Sequence, residues 1–142
     1  MKKTGIWLDK RMAYIISIDG DEVQSVKTVF SKIEDYHIHG GSGTRLKGGP
    51  QDVVQDSKYL EREKHQFKVY FKSIAHHLED TDEIVLFGPA EAREKLVKEW
   101  LTSNRKLHSR VKGVVRTDSM TKNQMKAFVR KYFGQRQAGI RD

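Results

Sequence analysis

The stretch Glu83-Ile84-Val85-Leu86-Phe87-Gly88-Pro89-Ala90-Glu91 decides the fold class. Its apolar run is too short for a helix and does not alternate, as in a strand buried on both faces of a parallel sheet. Gly88-Pro89 then turns the chain, and Pro89 suits the first position of a helix. That helix is predicted to reach about Ser103, with Leu96, Val97, Trp100 and Leu101 facing inward.

Reading outward, Lys112–Thr117 is a last strand. Asp118 or Ser119 caps a final helix near 121–133, whose Met125, Phe128, Val129 and Tyr132 form the buried stripe. Gly134 ends it, and 135–142 is a frayed basic tail. Upstream, Ser57 caps a helix running to about Leu78, with Leu60, Phe67, Phe71, Ile74 and Leu78 at helical spacing. Thr4–Asp9 and Met12–Ile18 form a hairpin around Lys10-Arg11, and Glu22–Val29 adds a third strand after the turn Asp19-Gly20-Asp21. Between this meander and the first helix lies a loop, 31–56, holding Gly40, Gly41, Gly43, Gly48, Gly49 and Pro50. Loops of that length inside a compact chain are usually functional or disordered. The order β-β-β-α-β-α-β-α predicts one α/β module over 1–134. Its mixed sheet has strands 1–3 antiparallel, strands 4 and 5 added in parallel, and helices on both faces.

Composition narrows the function. The chain has 142 residues, no cysteine and no apolar run near the roughly 18 residues of a membrane span. Disulfides, thiolate metal sites and thiol nucleophiles are thereby excluded. The opening Met-Lys-Lys-Thr-Gly-Ile-Trp-Leu-Asp meets an acid before a signal-peptide core forms, so a small, soluble, cytoplasmic protein is expected. Net charge is +8, and it is lopsided: residues 1–88 hold 13 basic and 14 acidic side chains, residues 89–142 hold 14 and 5. Such an excess points toward a polyanion.

The ordering of strands and helices is that of the ribonuclease H-like fold. Within it, three stretches stand in a particular sequence: Tyr36-His37-Ile38-His39-Gly40-Gly41-Ser42-Gly43, a basic, aromatic-rich helix, and Ile84–Glu91. Together they resemble the central domain of eukaryotic and archaeal class-1 peptide release factors, the related Pelota domain, and stand-alone bacterial proteins of that type. The resemblance spans roughly 4–133 and implies a role for the glycine loop. In the release factors a Gly-Gly-Gln loop enters the peptidyl transferase centre and helps water attack the peptidyl-tRNA ester. Here Gly40-Gly41 is followed by Ser42, and Gly48-Gly49 by Pro50 before Gln51, so neither pair completes the motif. Gly40, Gly41, Ser42 and Gln51 are the loop candidates for such chemistry.

Other constellations are weighed on their own chemistry. His37-x-His39 supplies two imidazoles, too few for a metal site, and polar contact with RNA is the better reading. A metal nuclease needs several converging carboxylates. Asp9 and Glu61 or Glu63 fit two positions, but the strand ending Leu86-Phe87-Gly88 carries no acid. Basic stripes carry more weight. Lys64, Lys68 and Lys72 repeat every four residues on one helix, as do Lys122, Lys126 and Arg130 on another, joined by Lys131. Arg105 and Lys106, with Arg110 and Lys112, add a basic connection, and Arg45 and Lys47 add cations to the loop. These residues are expected to contact phosphates without reading sequence. The leading function is thus a translation-associated RNA-binding module engaging ribosome or tRNA, with neither metal nor cofactor. A peptidyl-tRNA hydrolase and a protein-interaction domain that has lost RNA binding are the alternatives, and oligomeric state is left open.

Overall fold

The computed structural model describes residues 1–33 and 50–139. Strands β1 (Lys2–Leu8), β2 (Met12–Asp19) and β3 (Glu22–Phe30) form the antiparallel meander. The Asp9 carboxylate fixes its first turn by accepting the backbone N–H groups of Arg11 and Met12 at 2.8 and 2.9 Å. The long helix α1 (Pro50–His76) leads to β4 (Glu83–Gly88), which pairs in parallel with β1. Helices α2 (Ala92–Ser103) and α3 (Arg105–Arg110) then deliver β5 (Val111–Arg116), parallel to β4, and α4 (Lys122–Gly139) closes the fold. The resulting sheet has the order β3-β2-β1-β4-β5. The antiparallel meander and the two parallel additions are those expected from the sequence.

Strand alternation sorts the core into two clusters. Ile6, Leu8, Ile84 and Leu86 pack with Phe67, Phe71 and Ile74 of α1, Leu96 and Trp100 of α2, and Leu107 of α3. The intervening Trp7, Val85 and Phe87 pack instead with Met125, Val129 and Phe133 of α4. Neighbouring residues of a strand point to opposite faces, so the first three helices and α4 lie on opposite sides of the sheet. Helix α4 sits close: a Cβ on Gly5 of β1 would collide with the Val129 side chain.

Several boundaries differ from expectation for physical reasons. Helix α1 begins at Pro50, not at Ser57, so the predicted loop 31–56 ends earlier. Proline loses nothing at a first helical position. Gln51 therefore belongs to the first turn of α1 rather than to the loop. At the other end Gly134 does not stop α4, which continues to Gly139 through the predicted tail. A lone interior glycine costs about 1 kcal/mol, and the Gln and Arg around it favour helix. Residues beyond Gly139 lie outside the described part. The short α3 was not expected; the Asn104 side chain caps it by accepting the Leu107 N–H at 3.2 Å. Two predicted core positions face solvent, Leu60 at 55% and Leu101 at 46% exposure, while Tyr59 and Tyr70 are buried on α1.

Candidate nucleic-acid interface

The buried side of α1 runs through Phe67, Phe71 and Ile74, and a four-residue repeat places Lys64, Lys68 and Lys72 along the edge of that side. This edge faces α2. Between them lies a groove of about 440 Å³ lined by Glu63, Lys64, Phe67, Lys68, Phe71, Lys95, Lys98 and Glu99. It continues past Lys68 and Phe71 into a hollow of about 220 Å³, where Lys72, Trp100 and Asn104 are added. Ala75 and Asn104 are shared with a third hollow of about 450 Å³ that brings in Glu79, Lys106, Leu107 and Arg110. The trough thus crosses α1, α2 and α3, with seven cations against three carboxylates on its walls.

Its floor is rigid and apolar. The Phe67 and Phe71 rings are tilted with centroids 5.4 Å apart, and the Lys95 ammonium lies 5.0 Å from the Phe67 centroid. This cation–π contact favours placement of the exposed Lys95 charge over the floor. Glu63 is committed elsewhere. Its Oε2 accepts the Tyr59 hydroxyl at 2.8 Å and meets the Lys10 Nζ at 2.9 Å. Partial burial works to raise the Glu63 pKa, but hydrogen bonds from Lys10 and Tyr59, with the charges of Lys10 and Lys95, outweigh it and hold the carboxyl below its ordinary range. Burial, together with the Glu63 carboxylate, holds the Tyr59 phenol above its ordinary value and keeps it a donor. On the same helix the Tyr70 hydroxyl donates to the Asp9 carbonyl at 2.9 Å, and burial raises its pKa. These contacts tie α1 to the β1–β2 turn and hold the lysine edge in place.

The residues expected to contact RNA divide into three groups. Lys64, Lys68, Lys72 and Lys106 line one trough, with Arg105 exposed beside it. Lys122, Lys126, Arg130 and Lys131 lie on α4, across the sheet. Lys122 stands one turn before Met125 on the buried line of the helix, and its exposed side chain reaches back over β2, with Nζ 5.3 Å from the Tyr14 ring centroid. His37, His39, Gly40, Gly41, Ser42, Arg45 and Lys47 lie outside the described residues. Lys95 and Lys98 were missed by sequence reasoning. They flank the inward residues Leu96 and Val97, and only the packing of α2 against α1 identifies them.

The nuclease acids are accounted for. Asp9 caps its turn, Glu63 is bound, and Glu61 is exposed. Among the described residues no three His, Asp or Glu side chains are grouped to hold a metal ion. The Gly88-Pro89 turn is built by packing: the buried Arg93 guanidinium donates to the carbonyls of Gly88, at 3.1 Å, and of Ala90.

No protein-family model matches this sequence, and no curated protein matches it. Solved structures do. The Pelota protein of Thermoplasma acidophilum superposes with a TM-score of 0.53 at 18% identity, over 87% of this chain and 30% of that one. Archaeoglobus fulgidus Pelota gives 0.57 at 12% identity, over 97% and 35%. The fold is Pelota-like. An archaeal translation termination factor matches it as well, at 0.52 and 10% identity, over 99% of this chain and 40% of that one. The chain therefore spans well under half the length of each Pelota-like neighbour. Among the described residues no helix is long and apolar enough to cross a membrane.

Proposed function

We propose that the chain is a translation-associated RNA-binding module, equivalent to the central domain of class-1 release factors and Pelota, acting on ribosome or tRNA in the cytoplasm. One observation carries the reading: cations separated by more than 40 residues in sequence, from Lys64 to Arg110, converge on a single trough. Aligned ammonium groups displace condensed counterions from a phosphate chain, which gives strong, salt-sensitive, sequence-independent binding. The likeness to an archaeal translation termination factor supports the setting. The loop cations Arg45 and Lys47, with His37 and His39, extend the same contact in this proposal.

Ester hydrolysis is left out of the proposal. Ser42 stands where the motif needs Gln, and Gln51 is held in the first turn of α1. The test is sedimentation of the tagged chain through a sucrose cushion with ribosomes, before and after RNase treatment. Co-sedimentation that RNase abolishes is expected. A chain that stays in the supernatant with intact ribosomes, or binds equally after RNase, rejects the reading.

A further inference from the structure

The trough takes up seven cations of α1, α2 and α3 but none of those on α4. Helix α4 holds five basic residues and no acidic one in its eighteen positions. Among the described residues no ion pair involves Lys122, Lys126, Arg130 or Lys131. The arrangement works against the helix: like charges four residues apart repel, and Lys122 sits at the positive end of the dipole. A sequence shaped by folding alone would interleave carboxylates, as α2 does with Glu94 and Glu99.

We infer that α4 is a second phosphate-binding surface, and that the protein bridges two RNA segments held on opposite sides of its sheet. This rests on the RNA-binding reading of the trough. The two surfaces are independent because helices on either side of a sheet have axes on the order of 20 Å apart, against a screening length of roughly 8 Å at physiological salt. One phosphate chain seated in the trough leaves the α4 charge unscreened and free for another. An RNA fits α4 better than a protein does. A protein partner needs an apolar anchor at the centre of its contact, whereas a phosphate chain needs charge alone. Phe128 and Tyr132 are half-buried against the sheet, and the exposed large apolar residues of the described chain (Phe30, Leu60 and Val69 among them) lie on other elements.

The experiment mixes the full-length chain with two oligouridylates of about 16 nucleotides, one carrying a donor dye and the other an acceptor, at about 0.15 M salt. Oligouridylate cannot pair with itself, so energy transfer reports bridging by protein. Two strands per protein are expected, with transfer that rises and then falls as protein is added in excess. Lys64→Glu/Lys68→Glu/Lys72→Glu and Lys126→Glu/Arg130→Glu/Lys131→Glu should each keep one strand and lose the transfer. If charge reversal unfolds α4, as circular dichroism would show, Lys126→Gln/Arg130→Gln replaces it with the same expectation. One strand per protein, lost in the α1 variant and unaffected in the α4 variant, overturns bridging and leaves the trough reading intact. No binding by the wild type overturns both. Displacement from α4 by polyglutamate as readily as by RNA assigns that face to an acidic protein and rejects the inference.

Discussion

At the scale of single residues, the parallel half of the sheet depends on how closely the end of β4 approaches β1. Gly88 has φ +141°, a region open to glycine, and a Cβ there would run into the Leu8 carbonyl. That obstacle is backbone in the middle of the sheet and cannot swing aside. Gly88→Ala should therefore cost roughly 3 kcal/mol or more, combining unfavourable φ with overpacking. Urea unfolding monitored by circular dichroism measures it, and a loss below about 0.5 kcal/mol would show that the turn rearranges. The sequence marked Gly88-Pro89 as a turn, which it is, but Pro89 does not open the helix: α2 starts at Ala92 behind Glu91. Neither the positive φ of Gly88 nor that of Ala90 was legible, nor was the buried Arg93 guanidinium that donates to both their carbonyls.

At the scale of elements, the decisive relation is the seating of α1 on the β1–β2 turn and beside α2. Short-range periodicity located the buried residues Phe67, Phe71 and Ile74, since each answers to its own helix. It misplaced Leu60 and overlooked Tyr59, whose burial depends on Glu63 and on the Lys10 turn. It also missed the start at Pro50, because glycines upstream masked a proline that opens a helix. Lys95 and Lys98 escaped for the same kind of reason, being defined by a neighbouring helix. The Glu63 latch offers a test of this seating. Its carboxyl pKa is depressed, so the stabilisation is fully present above the ordinary value of 4.5 and is lost as pH falls through the lower folded value. Glu63→Gln should lower stability by roughly 1–2 kcal/mol at neutral pH, the worth of hydrogen bonds to a charged group. The gap from wild type should close as pH drops below about 4. Urea midpoints across that range check it, and a gap constant with pH would remove the ionised latch from the account.

At the scale of the whole molecule, the charge excess of the last third becomes meaningful only once folded. Arg105 to Arg110 in sequence stand apart from Lys64 to Lys72, yet the fold sets Lys106 and Arg110 at one end of the lysine trough and leaves α4 on the far side of the sheet. The chain order of elements, the antiparallel meander and most of the helical stripes were legible because they are local or nearest-neighbour patterns, whereas the place of β4 beside β1 was not read from the sequence. The division of the cations into two surfaces was not, because it depends on which side of the sheet each helix covers. The central claim is that the trough binds phosphates, and counterion release gives it a quantitative signature. The most direct measurement is the slope of log binding constant against log salt for a single-stranded RNA of about 16 nucleotides, for the wild type, Lys68→Ala and Lys98→Ala. Each substitution should weaken binding and flatten the slope by about 0.7, one phosphate contact removed. Slopes and affinities indistinguishable from wild type in both variants would contradict the claim and leave the trough an ordinary solvated surface.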